Sequence, residues 1–325
     1  RVFTIKGFGT VVTGTVASGR IGKADPLQII PGNIDCKIRG LQVHGEDAEQ
    51  VHAGQRAAIN IQNIPKDRIK RGMMLTRPET IRESLMLDAK CRIVETLGTQ
   101  VKNRAQVRFH TGAAEILGRL IIMDKEHLER GDEASVQIRL LEPAATLPGD
   151  RFIIRSYSPV LTLGGGYILD PYPSKHKRFK PETMEHFNRL DSSDPQNRLQ
   201  AWLVAAEYGL TSVEVQRYFP DPDIDVAAVV EKSLESGLAR SLGTQKEVLI
   251  SNETYSKFSQ KVSCVVHDFH VKNPLRPGIS REAIRTSLKP QPPAEFFGPF
   301  MAEMLRAGDL TEAKSFIHEP GFHIA

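Results

Sequence analysis

The sequence is poor in cysteine, in tryptophan and in long apolar runs. Three cysteines and one tryptophan occur in 325 residues, and no apolar stretch approaches the roughly 20 residues that a membrane helix needs. Cys36, Cys91 and Cys264 are far apart and odd in number, which suits neither a disulfide framework nor a zinc site. Three ordinary buried thiols in a reducing cytoplasm are expected. Charge of one sign is also scarce. The 43 Lys+Arg against 39 Asp+Glu leave a formal +4, too little to establish nucleic-acid binding but enough for a local basic face. Residue 1 is Arg and strand-like sequence follows at once. No signal peptide is expected there, and the chain reads as a fragment cut at a domain boundary.

Motifs of catalysis are missing too. Gly9-Thr10-Val11-Val12-Thr13-Gly14-Thr15 approaches the phosphate-binding pattern G-x-x-x-x-G-K-[ST]. It lacks the lysine that reaches the phosphates and has no strand–loop–helix setting. Gly164-Gly165-Gly166 has no helix N-terminus behind it, so a bulge or close backbone crossing in a barrel strand is expected. His267 and His270 are three apart on a helix without a third ligand, which predicts an exposed helix face and no metal site. No Ser or Cys sits in a nucleophile elbow. No catalytic residue is assigned, and catalysis by this chain alone is not expected.

What is present divides into two textures. From Arg1 to about Pro171, short strands alternate with Gly, Pro, Asp and Asn turns. Val2-Phe3-Thr4-Ile5-Lys6, Thr10–Val16, Leu27–Ile30, Cys36–Leu41 and Arg56–Ile61 lead to a first barrel closing near Met74-Leu75. A second series runs from Leu85–Ala89 through Ala134–Leu140 and Arg151–Arg155 to Gly164–Asp170. Evenly spaced short strands predict antiparallel β-barrels.

Beyond Pro171-Tyr172-Pro173 the period becomes helical, after the basic run Lys175-His176-Lys177-Arg178-Phe179-Lys180. Leu199, Trp202, Leu203 and Ala206 share a helical face. Thr211-Ser212-Val213-Glu214 has the form of a capped helix start, and a third helix runs from Val226 to Gly237. A hairpin around Gly243 completes the order helix, helix, helix, hairpin of a winged helix. The order repeats after some 75 residues: a helix over Thr254–His270, a second from Ser280, a third over Glu295–Ala307, and closing strands from Leu310. Four domains are expected, at 1–79, 80–174, 175–251 and 252–325.

Val2–Val16 resembles the opening of the second domain of translational GTPases such as elongation factor Tu. Gly22–Asp25, Ala53-Gly54-Gln55-Arg56 and Ile69–Leu75 follow in the order of that domain's later motifs. Leu161–Pro171, with its three glycines, the basic linker and the tandem winged helices are similar to the selenocysteine-specific elongation factors (SelB). The resemblance covers essentially the whole chain. It implies two antiparallel β-barrels, translation-factor domains II and III, followed by two winged-helix (α+β) domains. It further implies delivery of selenocysteyl-tRNA to the ribosome at recoded UGA codons, with barrels on the tRNA and winged helices directed to an mRNA hairpin.

In that family two arginines line the selenocysteine pocket, and they match Arg1 and Arg56 here. A selenolate anion beside fixed guanidinium cations is favoured over neutral serine. The acid expected before Arg1 is not in this sequence. GTP and Mg²⁺ are expected only with a GTPase domain, which this chain lacks, so no cofactor is assigned to it. The family's array has four winged helices and two are found here, which are expected to act mainly as a spacer.

Lys175, Lys177 and Arg178 suit tRNA backbone or a solvated linker. Arg240 and Lys246 flank a wing, and Arg281 and Arg285 lie four apart on a helix; RNA contact and protein contact both remain open. A cytoplasmic monomer without a membrane partner is expected. The alternative reading is a winged-helix regulator, binding nucleic acid or docking protein, fused to translation-factor-like barrels.

Overall fold

The computed structural model describes the chain except residues 6–8, 244–247 and 323–325. It contains two compact units, Arg1–Phe187 and Asn188–Ala325. Among the described residues, no helix is long and apolar enough to cross a membrane.

The first unit holds two β-barrels in sequence. In the first, the order Val2–Ile5, Gly9–Thr15, Arg56–Ile61, Ile38–Val43, Glu46–Asp47 forms one antiparallel sheet, and Met74–Thr76, Leu27–Ile30, Ile34–Cys36 forms another. Arg56–Ile61 shows why these strands form: Ala57, Ile59 and Ile61 are buried while the residues between them are not. That period of two sends alternate side chains to opposite faces. Leu27, Ile29, Leu41, Val51, Ile59 and Ile61 fill the core.

The second barrel is closed, in the order Glu83–Ile93, Glu133–Ala145, Ala114–Ile122, Ala105–Thr111, Arg151–Ser156, Thr162–Asp170. Phe109 and Phe152 meet inside it at 5.4 Å between ring centroids. The three glycines lie within Thr162–Asp170 as a close backbone crossing, as expected. A Cβ on Gly165 would stand 2.5 Å from the Phe152 carbonyl oxygen, and its two neighbours are equally confined. The barrels meet through buried Ile30, Ile81 and Ala145. There the Gly32 N–H donates to Glu83 Oε2 at 2.6 Å.

A helix that the sequence reading did not anticipate follows, α1 over Pro181–Leu190. Its signals are weak: Pro at the first position, Glu182 behind it, and only Phe187 and Leu190 deeply buried at i, i+3 spacing.

The second unit has the two winged-helix modules. The first comprises α2 (Pro195–Ala205), α3 (Ser212–Tyr218), α4 (Val226–Glu235) and strands Ala239–Leu242 and Val248–Ser251. Asp194 and Asp225 cap α2 and α4. Thr211 and Glu214 form a reciprocal capping box on α3. Trp202 stacks on Tyr218 at 4.4 Å. The hairpin's tip lies outside the described residues.

The second module comprises α5 (Asn252–Lys272), α6 (Arg281–Ser287), α7 (Ala294–Ala307) and strands Thr311–Ala313 and Phe316–His318. Helix α5 starts directly from the first module's last strand, capped by Ser251, and runs two residues further at each end than its sequence limits. Phe258, Phe296 and Phe300 interlock in its core.

Two expectations fail on α5. Cys264 is exposed, whereas Cys36 and Cys91 are buried. His270 is buried at 5% exposure. Its ring stacks on Phe322 at 3.8 Å, and its Nδ1 lies 3.3 Å from Glu319 Oε2, while His267 Nδ1 lies 3.1 Å from the other oxygen. The chain's last segment folds back onto the helix and covers one histidine of the pair, which a helical period alone does not reveal.

Candidate functional site

Arg1 and Arg56 stand on the two sides of one strand. Val2–Ile5 and Arg56–Ile61 flank Gly9–Thr15. The Arg1 backbone nitrogen donates to the Thr13 carbonyl at 2.7 Å, and the Thr13 N–H donates back to the Arg1 carbonyl at 2.8 Å. Arg56 is the cross-strand partner of Thr15. Thr13 and Thr15 are two residues apart, so both threonines and both arginines project from the same face. Val12 and Ala57, the intervening positions, pack with the core, so this face points outward. Strand spacing of about 4.8 Å and a rise of about 3.4 Å place the two arginine Cα atoms about 12 Å apart. Both are exposed, and among the described residues neither guanidinium takes part in an ion pair. The arrangement offers two cations to one small anion, with threonine hydroxyls between them.

A second cationic surface lies on the outside of the closed barrel, and the sequence reading missed it. Lys90 pairs with Tyr167, and Tyr167 with Arg151, making a row across three strands; Arg92 pairs with Gly165 one step along. Gly165 leaves the floor open, and Lys90, Arg92, Arg151, Tyr167 and Glu133 line a cleft of about 430 Å³. The Arg151 guanidinium lies 5.2 Å from the Tyr167 ring centroid. The signal was available as alternation, since Lys90 and Arg92 interleave with buried Ala89, Cys91 and Ile93. Only the closed register brings Arg151 beside them.

The linker candidates separate. Arg178 donates from Nε to the Ile122 carbonyl at 2.6 Å and from Nη2 to the Lys125 carbonyl at 2.7 Å. With Phe179 N–H on the Met123 carbonyl at 3.0 Å, it straps the linker to the barrel. Lys175 and Lys177 are exposed and form no ion pair among the described residues.

The winged-helix candidates are mostly engaged within their own unit. Arg240 donates to Asn252 Oδ1 at 2.6 Å, approaches Glu303 Oε1 at 3.8 Å, and lies 3.8 Å over the Tyr255 ring. Arg281 donates to Glu312 from Nε at 3.2 Å and from Nη2 at 2.5 Å. Arg285 holds Glu282 at 3.0 and 2.8 Å. That pair keeps the Glu282 carboxyl below its ordinary range and the Arg285 guanidinium above. Lys246 lies outside the described residues.

Family models agree with this layout. Residues 9–76 match elongation factor Tu domain 2, 89–175 the β-barrel domain of the selenocysteine-specific elongation factor, and 265–318 the elongation factor SelB winged helix. A selenocysteine-specific elongation factor of Desulfomicrobium baculatum is 33% identical over 286 residues, covering 86% of this chain and 44% of that protein. The one of Escherichia coli is 23% identical over 326 residues, covering 98% of this chain and 49% of that protein. The crystal structure of a bacterial selenocysteine-specific elongation factor, EF-Sec, superposes with a TM-score of 0.72 at 19% identity over 98% of this chain and 48% of that one; at that identity it shows the fold alone. The chain thus spans about half the length of the relatives it matches. With three translation-factor models matched along the chain and the relatives matched across both units, the chain belongs to the selenocysteine-specific elongation factor (SelB) family.

Proposed function

We propose that this chain forms the tRNA-holding barrels and the winged-helix arm of a factor that delivers selenocysteyl-tRNA to the ribosome. The observation that carries the reading is the shared outward face of Arg1, Thr13, Thr15 and Arg56. A selenolate is an anion at neutral pH, and fixed guanidinium groups discriminate it from the neutral serine hydroxyl. The cleft formed by Lys90, Arg92 and Arg151 adds positive charge for phosphate, although Arg92 also holds Glu95 at 3.2 Å, and exposed Lys175 and Lys177 continue that charge into the linker. The winged-helix modules are a spacer toward the mRNA hairpin, since Arg240, Arg281 and Arg285 are held by groups of their own unit. In this reading the chain's part is binding, in the cytoplasm, and GTP with Mg²⁺ belongs to a GTPase domain of the whole factor.

The test is Arg56→Ala in the full-length factor, with affinities measured for selenocysteyl-tRNA and seryl-tRNA. The expected result is a selenocysteyl preference reduced at least tenfold with seryl binding unchanged. An unaltered ratio of the two affinities rejects the pocket.

A further inference from the structure

The outer face of the closed barrel carries a row of polar residues that water does not reach. Gln137, Asp88 and Asp170 are cross-strand neighbours on Glu133–Ala145, Glu83–Ile93 and Thr162–Asp170. Their exposures are 0%, 0% and 2%, because the segment from 171 onward folds back over them. The Tyr172 N–H donates to Asp170 Oδ1 at 2.7 Å. Gln137 Nε2 donates to the Ser174 carbonyl and to Asp88 Oδ1, both at 2.9 Å. His176 Nε2 lies 2.6 Å from Asp88 Oδ2. His186, on α1, places its ring 5.2 Å from that of His176. One donor atom each from Asp88, His176 and His186 falls within 4.8 Å of the others. Three separate segments converge here: a barrel strand, the linker and a helix.

The buried charge of this row favours a cation held directly against it. Two carboxylates buried side by side disfavour each other's charge, and burial adds to the penalty. His176 faces Asp88, and the Arg139 and Arg82 guanidinium groups act on Asp88 and Asp170 from nearby. Two imidazoles and one carboxylate are the donor set of zinc and its neighbours, whereas magnesium and calcium take oxygen ligands. The second layer is also present. Gln137 occupies Asp88 Oδ1 and is itself held through Oε1 by Arg139 Nε at 3.2 Å and Nη2 at 3.0 Å, which turns Oδ2 toward the histidines.

We propose that Asp88, His176 and His186 form a binding site for a divalent transition metal of the zinc class, with water as the fourth ligand. The ion takes the place of the proton between Asp88 and His176. Two ligands of one tetrahedral zinc stand about 3.3 Å apart, so that pair opens by less than about 1 Å. Asp170 contributes charge without ligating. The bound ion ties the linker and the first turns of α1 to the barrel wall.

The full chain, stripped with a chelator, is titrated with Co²⁺, Zn²⁺ and Mg²⁺. One equivalent of Co²⁺ is expected to bind with visible d–d absorption, to be displaced by Zn²⁺ and not by Mg²⁺. His186→Ala, at a half-buried helix position, is expected to weaken Co²⁺ binding at least tenfold with unchanged circular dichroism. Should it fail to fold, His186→Gln is titrated in its place. His267→Ala, on α5 of the second unit and outside the ligand set, is expected to bind as the parent does. Absence of stoichiometric binding, binding indifferent to the residue 186 substitution, or binding lost with His267→Ala each overturns the site.

Discussion

Gly166 rests directly on the backbone of Lys90: the Lys90 carbonyl oxygen occupies the place where a Cβ at 166 would stand. The two belong to adjacent strands of the closed barrel, and Gly166 is the register partner of Cys91, next to Lys90. Backbone engaged in a ladder on both sides cannot move aside as a side chain can. Gly166→Ala is therefore expected to cost about 3 kcal/mol or more in urea unfolding, at the upper end for overpacking. Gly149→Ala has open space around it but a left-handed φ of 86°, and is expected to cost only about 1 kcal/mol. Equal costs for the two would reject the packing argument.

Thiol chemistry separates the three cysteines. Burial pushes the Cys36 thiol up to about 11 and the Cys91 thiol up to about 12, and the thiolate is the reactive form. Cys264 is exposed. One equivalent of Ellman's reagent is expected to react quickly at pH 8 in the native protein and three in denaturant. Cys264→Ser should remove the fast equivalent, and a second fast thiol would contradict the burial.

Asp170 gives stability a pH dependence in metal-stripped protein. Burial, first, and the neighbouring Asp88 push its carboxyl from 3.8 up to about 7. The folded state thus binds this proton more tightly than the unfolded chain. Its contribution is fully present below about pH 4 and is lost as pH rises through 7. Asp170→Asn, which keeps an oxygen for the Tyr172 N–H, is expected to melt several degrees above the parent at pH 8 and by a clearly smaller margin at pH 5. Identical melting temperatures at pH 8 would show that the carboxyl carries no such penalty.

Salt dependence sorts the basic residues. In the whole factor, Lys175→Ala or Lys177→Ala is expected to weaken binding to any aminoacyl-tRNA alike and to flatten the log K against log salt slope by about one unit each. Arg281→Ala, whose guanidinium is held by Glu312, should leave that slope unchanged. A flattened slope for Arg281→Ala would move RNA contact onto α6.

Thr211→Ala removes the hydroxyl that accepts from the Glu214 N–H at 3.3 Å and half of the capping box on α3. A loss of about 1 kcal/mol is expected, read from Trp202 fluorescence, since Trp202 stacks on Tyr218 at the end of that helix. A loss near zero would mean that packing alone holds α3.

The alternation of Ala57, Ile59 and Ile61, the spacing of Phe258, Val262 and Val266, and the Thr211–Glu214 box are local patterns, and they suffice for strand, helix and cap. They do not report which surface is later covered. Asp88 sits in an outward register beside Lys90 and Arg92, and by alternation alone it belongs in water. It is buried because the linker, about 85 residues later, returns across it. For the same reason Arg178 became a strap, His270 went under Phe322, and α1, with few apolar residues of its own, was not anticipated.

The sequence by itself determined the order of two barrels and two winged helices, because periods of two and 3.6 and the turn residues between them are properties of neighbouring positions. Only the tertiary structure decided which charges are available. Register set Arg1 and Arg56 on one face and Arg151 beside Lys90, and chain return enclosed Asp88 with two histidines. Those are pairings between distant residues, settled by closure of the sheets and not by any local preference.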